Sequence, residues 1–145
     1  DLYAGSGTRT FFSALELQTE GRRESRRQEW NGVVAAGRFA TYFVPDAHWR
    51  VIAETEYAAS WRPRIPTQFE LGAFEGGVRG YGRADVAGAR RLVGRLETRF
   101  VFPQWIGLGD LGLAAFGDAG RIWAGDAPYG VDSRVVTSVG LGILG

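Results

Sequence analysis

Apolar and polar residues alternate along six segments of the chain, with the period of two that is typical of β-strands. The segments lie near residues 9–20, 32–44, 48–61, 90–102, 111–123 and 133–144. In the third segment one face would carry Trp49, Val51, Ala53, Tyr57 and Trp61, and the other Arg50, Glu54, Glu56 and Ser60. The segments have roughly the 9–11 residues with which a tilted strand crosses a bilayer, although a soluble β-sandwich also alternates. The pattern therefore predicts an all-β fold.

Composition favours strands over helices. The chain of 145 residues contains 22 glycines and 13% aromatic residues, together with many valines and threonines. No window of about 18 or more apolar residues is present, so a transmembrane helix is excluded. Membrane strands are only half apolar and leave a weak hydropathy trace, so a membrane location stays open.

The predicted connections between strands alternate between short and long. Short links lie at Pro45-Asp46-Ala47 and around Pro103-Gln104, whereas residues 21–31, 62–89 and 124–132 form long ones. An up-and-down outer-membrane barrel has this pattern, with short periplasmic turns and longer outer loops. The tryptophans agree, because indole rings prefer the bilayer interface and all five lie at or just beyond strand ends. They are Trp30, Trp49, Trp61, Trp105 and Trp123.

The strands are too few for a closed barrel. Six strands, or seven with a stub at residues 1–5, fall short of the roughly eight with which membrane barrels begin, and open sheet edges are not tolerated in lipid. Residues 1–145 are therefore predicted to form an antiparallel transmembrane up-and-down β-barrel segment of about six to seven strands from a larger barrel. Missing chain segments or other copies would close it. Because the chain has neither an initiating Met nor a leader-like start, we expect a mature product or an excised piece.

The long loop at about residues 62–89 carries a charged tip with the sequence EGGVRGYGRADV at residues 75–86. No helix pattern follows its glycines, so a phosphate cradle is disfavoured. The fifth predicted strand contains an F-x-D-x-G sequence in which Phe116, Asp118 and Gly120 share one face. The neighbouring strand is predicted to place Glu97 on the same side of the sheet.

Val78-Arg79-Gly80-Tyr81 in the loop, followed by F-x-D-x-G at residues 116–120, resembles the signature of the outer-membrane assembly and translocation barrels. This superfamily includes BamA, TamA, the two-partner-secretion transporters and the bacterial surface antigen barrel domain. The resemblance covers residues 48–145 by motif and residues 1–44 only by strand pattern, and it corresponds to the C-terminal portion of the barrel. It implies that the loop folds back into the lumen, where Arg79 meets Asp118 and Glu97.

The resemblance also implies work on other polypeptides in the outer membrane of a Gram-negative-type bacterium. The protein would insert barrel proteins into that membrane or pass a secreted chain across it. The expected partners are therefore client polypeptides and outer-membrane lipid or lipopolysaccharide. The arginine-rich run at residues 22–27 would contact lipopolysaccharide phosphates unless it is a simple solvated loop.

The contact of Arg79 with Asp118 and Glu97, which we call the latch, is physically reasonable. An unpaired charge in a low-dielectric lumen is costly, so an arginine there needs a carboxylate. A guanidinium binds a carboxylate in bidentate fashion, which fixes orientation as well as distance, and glycines at 76, 77 and 80 let the tip turn tightly. Arg79, Asp118 and Glu97 are predicted to hold the loop inside the barrel, with a purely structural ion pair as the alternative.

Other chemistries find little support. The net charge of +1 disfavours nucleic acid as a partner, and the absence of Cys excludes thiolate sites. His48 is the only histidine and lies at a turn, so no metal site is predicted. Glu54 and Glu56 lie two apart on one strand face, as glycosidase carboxylates can, but a polar lumen commonly places carboxylates in this way. We expect no catalytic residue, no cofactor and no enzymatic activity.

Two alternatives remain open for the function. One is a small passive outer-membrane pore or anchor that closes by oligomerisation. The other is a soluble β-sandwich or lipocalin-like carrier, which would purify without detergent.

Overall fold

The computed structural model describes residues 1–24, 29–63, 68–72, 76–82, 86–102 and 111–144, with no side-chain detail for residues 22–24 and 29–31. Strands are the only regular elements in these ranges. They are β1 (Leu2–Gly7), β2 (Phe11–Glu24), β3 (Glu29–Phe43), β4 (Trp49–Trp61), β5 (Phe69–Glu70), β6 (Ala87–Gly88), β7 (Arg90–Phe102), β8 (Leu111–Trp123) and β9 (Val136–Leu144). No apolar helix long enough to cross a membrane occurs among the described residues.

Seven of the strands form one antiparallel sheet in the order β1-β2-β3-β4-β7-β8-β9. Neighbours in the sheet are also neighbours along the chain, except that the long loop with β5 and β6 lies between β4 and β7. The prediction of an all-β antiparallel fold with six to seven strands is therefore confirmed. Within the described ranges β1 and β9 are the two edges and do not pair with each other, so the sheet is open.

The connection predicted at residues 21–31 is mostly strand. After a register shift between Glu20 and Arg22, β2 and β3 continue to pair as far as Glu24 and Glu29. Main-chain pairing requires no apolar alternation, so these charged strand ends carry no period-two signal. The arginine-rich run at residues 22–27 lies outside the described side chains.

The last strand begins at Val136, later than the predicted start near residue 133. Ser133 is used differently: its hydroxyl accepts a hydrogen bond from the N–H of Ile122 at 3.0 Å, at the end of β8. The hydroxyl of Ser133 thus takes the place of a main-chain carbonyl as the acceptor for Ile122. Regular pairing begins at Val136, three residues after the predicted start.

Three tryptophans lie at strand ends as predicted. Trp49 and Trp61 are the first and last residues of β4, and Trp123 is the last residue of β8. Trp105 and the predicted link at Pro103-Gln104 lie outside the described residues, as does the side chain of Trp30.

The two faces of the sheet differ in chemistry. The polar face carries Glu54, Arg95 and Asp118, which are direct register partners across β4, β7 and β8. The apolar face carries exposed large side chains from β2, β3, β4, β7, β8 and β9, among them Leu17, Phe39, Tyr57, Leu96, Leu113 and Leu141. Alternation along each strand produces this separation because successive side chains point to opposite faces.

The main core lies between the long loop and the polar face. Leu71 and Val78 of the loop pack against Val93 of β7 and Ile122 of β8, and all four side chains are fully buried. Strands β5 and β6, which the sequence pattern did not predict, pair with each other inside the loop. The described parts of the loop therefore form a folded layer over one half of the sheet.

The turn between β3 and β4 is fixed by a side chain. One carboxylate oxygen of Asp46 accepts hydrogen bonds from the N–H groups of His48 at 2.7 Å and Trp49 at 2.9 Å. These hydrogen bonds, with the one from Trp49 the stronger influence, hold the pKa of the Asp46 carboxyl below its ordinary value. The ionised carboxylate thus stabilises the tight turn that the sequence predicts at Pro45-Asp46-Ala47.

We expect the contribution of Asp46 to depend on pH. Because its pKa is lower in the folded than in the unfolded state, the contribution is complete above about pH 5 and is lost as the pH falls through the folded-state pKa. Asp46→Asn keeps an acceptor oxygen but cannot titrate. The thermal unfolding midpoint of the wild type should therefore fall toward that of Asp46→Asn between about pH 5 and pH 2. A difference between the two midpoints that stays constant over this range would contradict the assignment.

Candidate functional site

Three glycines shape the tip of the long loop. Gly76 and Gly80 have φ values of +79° and +73°, in the left-handed region that a side chain makes costly. At Gly77 a Cβ atom would overlap the carbonyl oxygen of Leu71. The N–H of Val78 donates to that same carbonyl at 3.0 Å. This tight fold turns Arg79 toward the sheet.

Arg79 binds the carboxylate of Asp118 with three donors. Its main-chain N–H and its Nε both donate to Oδ2 at 2.9 Å, and its Nη2 donates to Oδ1 at 2.8 Å. The side chain of Asp118 is 0% exposed, whereas that of Arg79 is 33% exposed. A fully buried carboxylate needs such partners, since it would otherwise be strongly destabilising.

Three further residues complete the surroundings of the guanidinium. Its Nη1 donates to Glu97, whose other oxygen accepts from Nε of Arg99 at 2.5 Å. The Cζ atom of Arg79 lies 3.9 Å from the ring centroid of Phe116, close enough for a cation–π contact. The hydrogen bonds that Arg79 donates to Asp118, and secondarily the one to Glu97, raise its pKa above the ordinary value although burial opposes them. The guanidinium therefore stays charged.

The three residues of the F-x-D-x-G sequence each meet the loop in turn. Phe116 supports the guanidinium, Asp118 binds it, and Gly120 leaves room for Val78. A Cβ atom at position 120 would lie 2.6 Å from Cγ2 of Val78 and 3.0 Å from Cδ1 of Leu71. Because residues two apart on a strand share a face, the spacing of the motif matches three successive contacts with the loop.

A glycine of the next strand creates space for the aromatic ring. Gly140 is the register partner of Phe116, and a Cβ atom at position 140 would overlap the ring. The ring therefore lies across β9, below the guanidinium. Nothing in the sequence pattern indicated this role of Gly140.

The structure thus brings together Arg79, Asp118, Glu97 and Phe116, with Val78 and Gly120 in contact beside them. Tyr81 packs against the cluster of Leu71, Val78, Val93 and Ile122. At Gly80 an added Cβ would meet no atom within 4 Å, so the positive φ alone accounts for a glycine there.

Sequence reasoning missed two arginines of β7 that bind the loop. Arg95 donates from Nη2 to the carbonyl oxygens of Gly76 and Gly77, the latter at 3.0 Å. Arg91 donates from Nη1 to the carbonyl of Glu70 at 2.9 Å, and its side chain is 5% exposed. Only the strand register could have indicated these contacts, since main-chain acceptors leave no trace in the sequence.

The paired carboxylates Glu54 and Glu56 are neutralised by arginines. Glu54 accepts from Arg38 at 2.5 Å and from Arg95, and Glu56 accepts from Arg91 at 2.5 Å. They balance the charge of the arginines around the loop. Among the described residues no group of three or more His, Cys, Asp or Glu side chains is arranged to hold a metal ion.

Comparison of the chain with protein-family models, with curated proteins and with solved structures finds no match.

Replacing Gly120 by Ala should displace the loop. The added methyl group overlaps Val78, which is fully buried and stiff, so we expect destabilisation of roughly 1–3 kcal/mol. The thermal unfolding midpoint of the protein and the rate of proteolytic cleavage in the loop measure this effect. Gly94→Ala on β7 is the matched control, because nothing lies within 4 Å of a Cβ atom there. Equal midpoints and cleavage rates for the two variants would contradict the assigned contact.

Proposed function

We propose that this chain is part of the outer-membrane β-barrel of a factor that inserts barrel proteins into the membrane or passes a polypeptide across it. The observation that carries the proposal is the docking of the loop-tip Arg79 on Asp118 and Glu97 at the polar face. Arg79 and Asp118 belong to the two motifs that resemble the assembly and translocation barrels, and Glu97 is the further partner that this resemblance implies.

The apolar face supports a location in lipid. Val139, Leu141 and Ile143 of β9 are 87%, 86% and 78% exposed, and large apolar residues of the neighbouring strands continue this surface. Within the described residues no second layer covers it. An apolar surface of this extent marks contact with a membrane or with another protein.

Aromatic rings border the apolar face at both ends. At one rim Trp49, Phe100 and Phe102 form a cluster with ring centroids 4.8 and 4.7 Å apart, and at the other rim Trp61 and Trp123 end their strands. The twelve steps along β4 from Trp49 to Trp61 span about 40 Å. A strand tilted by about 40–45° would then cover about 30 Å of bilayer thickness, which matches the hydrocarbon core.

The polar face supports a water-filled lumen beside the loop. Its ion pairs hold the loop as a layer that narrows the inside of the barrel, with Arg79 as the latch. The open edges β1 and β9 require further strands in lipid, which other segments of the protein or other copies would supply. Movement of the latched loop would then open a path for a client polypeptide.

Placement in lipid is tested by two neighbouring residues of β2 that lie on opposite faces. Leu17 is on the apolar face and Gln18 on the polar face, and both are exposed in this sheet. An arginine on the lipid face costs about 2–4 kcal/mol near the middle of the bilayer. We expect Leu17→Arg, but not Gln18→Arg, to lower the fraction of full-length protein that resists urea extraction from outer membranes. A soluble carrier would tolerate both changes equally, and that result would remove the membrane proposal.

The role of the latch is tested by Arg79→Ala in the full-length protein, reconstituted into phosphatidylethanolamine and phosphatidylglycerol vesicles. One probe is a urea-unfolded eight-stranded barrel protein, whose insertion is followed by heat-modifiable migration. The other is an unfolded polypeptide, whose passage into the vesicles is followed by protease protection. We expect Arg79→Ala to slow one of the two processes about tenfold or more, because the loop loses a charge-assisted bidentate contact.

Arg50→Ala is the control for this experiment, since Arg50 lies on the polar face of β4 and makes no ion pair among the described residues. Rates for Arg79→Ala that equal those of Arg50→Ala in both assays would leave a passive pore or anchor as the better explanation.

A further inference from the structure

Two arginines of β7 donate hydrogen bonds to the main chain of the loop. Arg95 reaches the carbonyl oxygens of Gly76 and Gly77, and Arg91 reaches that of Glu70. The ring of Phe69 lies 5.6 Å from the guanidinium of Arg91. The loop is therefore held from two directions: Arg79 projects from the loop to the sheet, and Arg91 and Arg95 project from the sheet to the loop.

Arg95 lies between two carboxylates of the neighbouring strands and binds only one of them through a hydrogen bond. Arg95 is the direct register partner of Glu54 on one side and of Asp118 on the other. Its guanidinium binds Glu54 through Nη1 and the loop carbonyls through Nη2, and it is only 18% exposed. Asp118 is thereby left to Arg79. Because a cation directly across the strands would otherwise compete for Asp118, Glu54 and the loop carbonyls keep the latch carboxylate available.

We propose that Arg95 is a positioning residue that fixes the turn at residues 76–78 independently of the latch. The two anchors share no acceptor. Arg79 uses Asp118 and Glu97. Arg95 uses Glu54, main-chain carbonyls and, at 3.8 Å, the carboxylate of Glu56. The same turn places the main-chain N–H of Arg79 2.9 Å from Oδ2 of Asp118. Loss of the latch alone then frees the tip beyond Val78 and leaves the base of the turn in place.

This inference rests on the proposed function only where it gives loop movement a role in transport. Its test measures the position of the loop and does not measure transport. The chain contains no cysteine, so a single Val78→Cys substitution gives a clean reporter in the full-length protein. Val78 is fully buried between the loop and the sheet, and a buried thiol reacts slowly with a maleimide. The labelling rate of Cys at position 78 therefore reports how often the turn lifts.

We expect Arg95→Gln to raise the labelling rate roughly tenfold or more, as the loss of charge-assisted hydrogen bonds predicts. Arg79→Ala should raise it less, and the double variant should multiply the two factors. The matched control is Arg38→Gln, because Arg38 also binds Glu54 but does not touch the described parts of the loop. With Arg38→Gln, Cys at position 78 should be labelled at the same rate as in the protein that carries Val78→Cys alone.

An Arg95→Gln rate that equals the Arg38→Gln rate overturns the inference. If Arg95→Gln does not fold, as judged by heat-modifiable migration, Arg95→Lys replaces it. Lysine keeps the charge but cannot reach Glu54 and the turn with one planar group, so labelling should still rise. Labelling of Arg95→Lys at the wild-type rate also overturns the inference. Arg79→Ala with full activity would remove the proposed function and leave the labelling result unaffected.

Discussion

The burial of one carboxylate is the constraint on which the rest of the site depends. The side chain of Asp118 is completely shielded, and the loop supplies the donors that make this burial tolerable. Because those donors lie at the tip of the long loop between β4 and β7, the loop must fold onto the polar face. Glycines follow from the same constraint, since the tip must turn sharply and approach the strands closely. The ion pair and the glycines therefore form one structural unit.

Charge is balanced locally across the polar face. Arginines and glutamates alternate from β3 to β7, and Glu54 and Glu56 each accept from at least one guanidinium. Such a network lets several cations approach the loop without an excess of positive charge. It also explains why two glutamates on one strand face need no catalytic interpretation here. The apolar face carries almost none of this charge.

Much of the fold could be predicted from the sequence, because alternation records which face of a strand is polar. The positions of β4, β7 and β8 were predictable in this way, and the motif around Asp118 indicated the partner of Arg79. The charged extension of β2 and β3 was not, because main-chain pairing beyond Glu20 requires no apolar pattern. The roles of Arg95 and Gly140 were also hidden. The first binds carbonyl oxygens and the second provides empty space, and neither leaves a side-chain signal until the register is known.

The latch consists of two components that differ in chemistry. The carboxylate of Asp118 accepts from the main-chain N–H at position 79 as well as from the guanidinium. Every amino acid except proline has that N–H group. Evolution can therefore change the side chain at this position in steps, weakening the latch without losing the peptide contact. Proline is the one residue that would abolish both contacts in a single replacement.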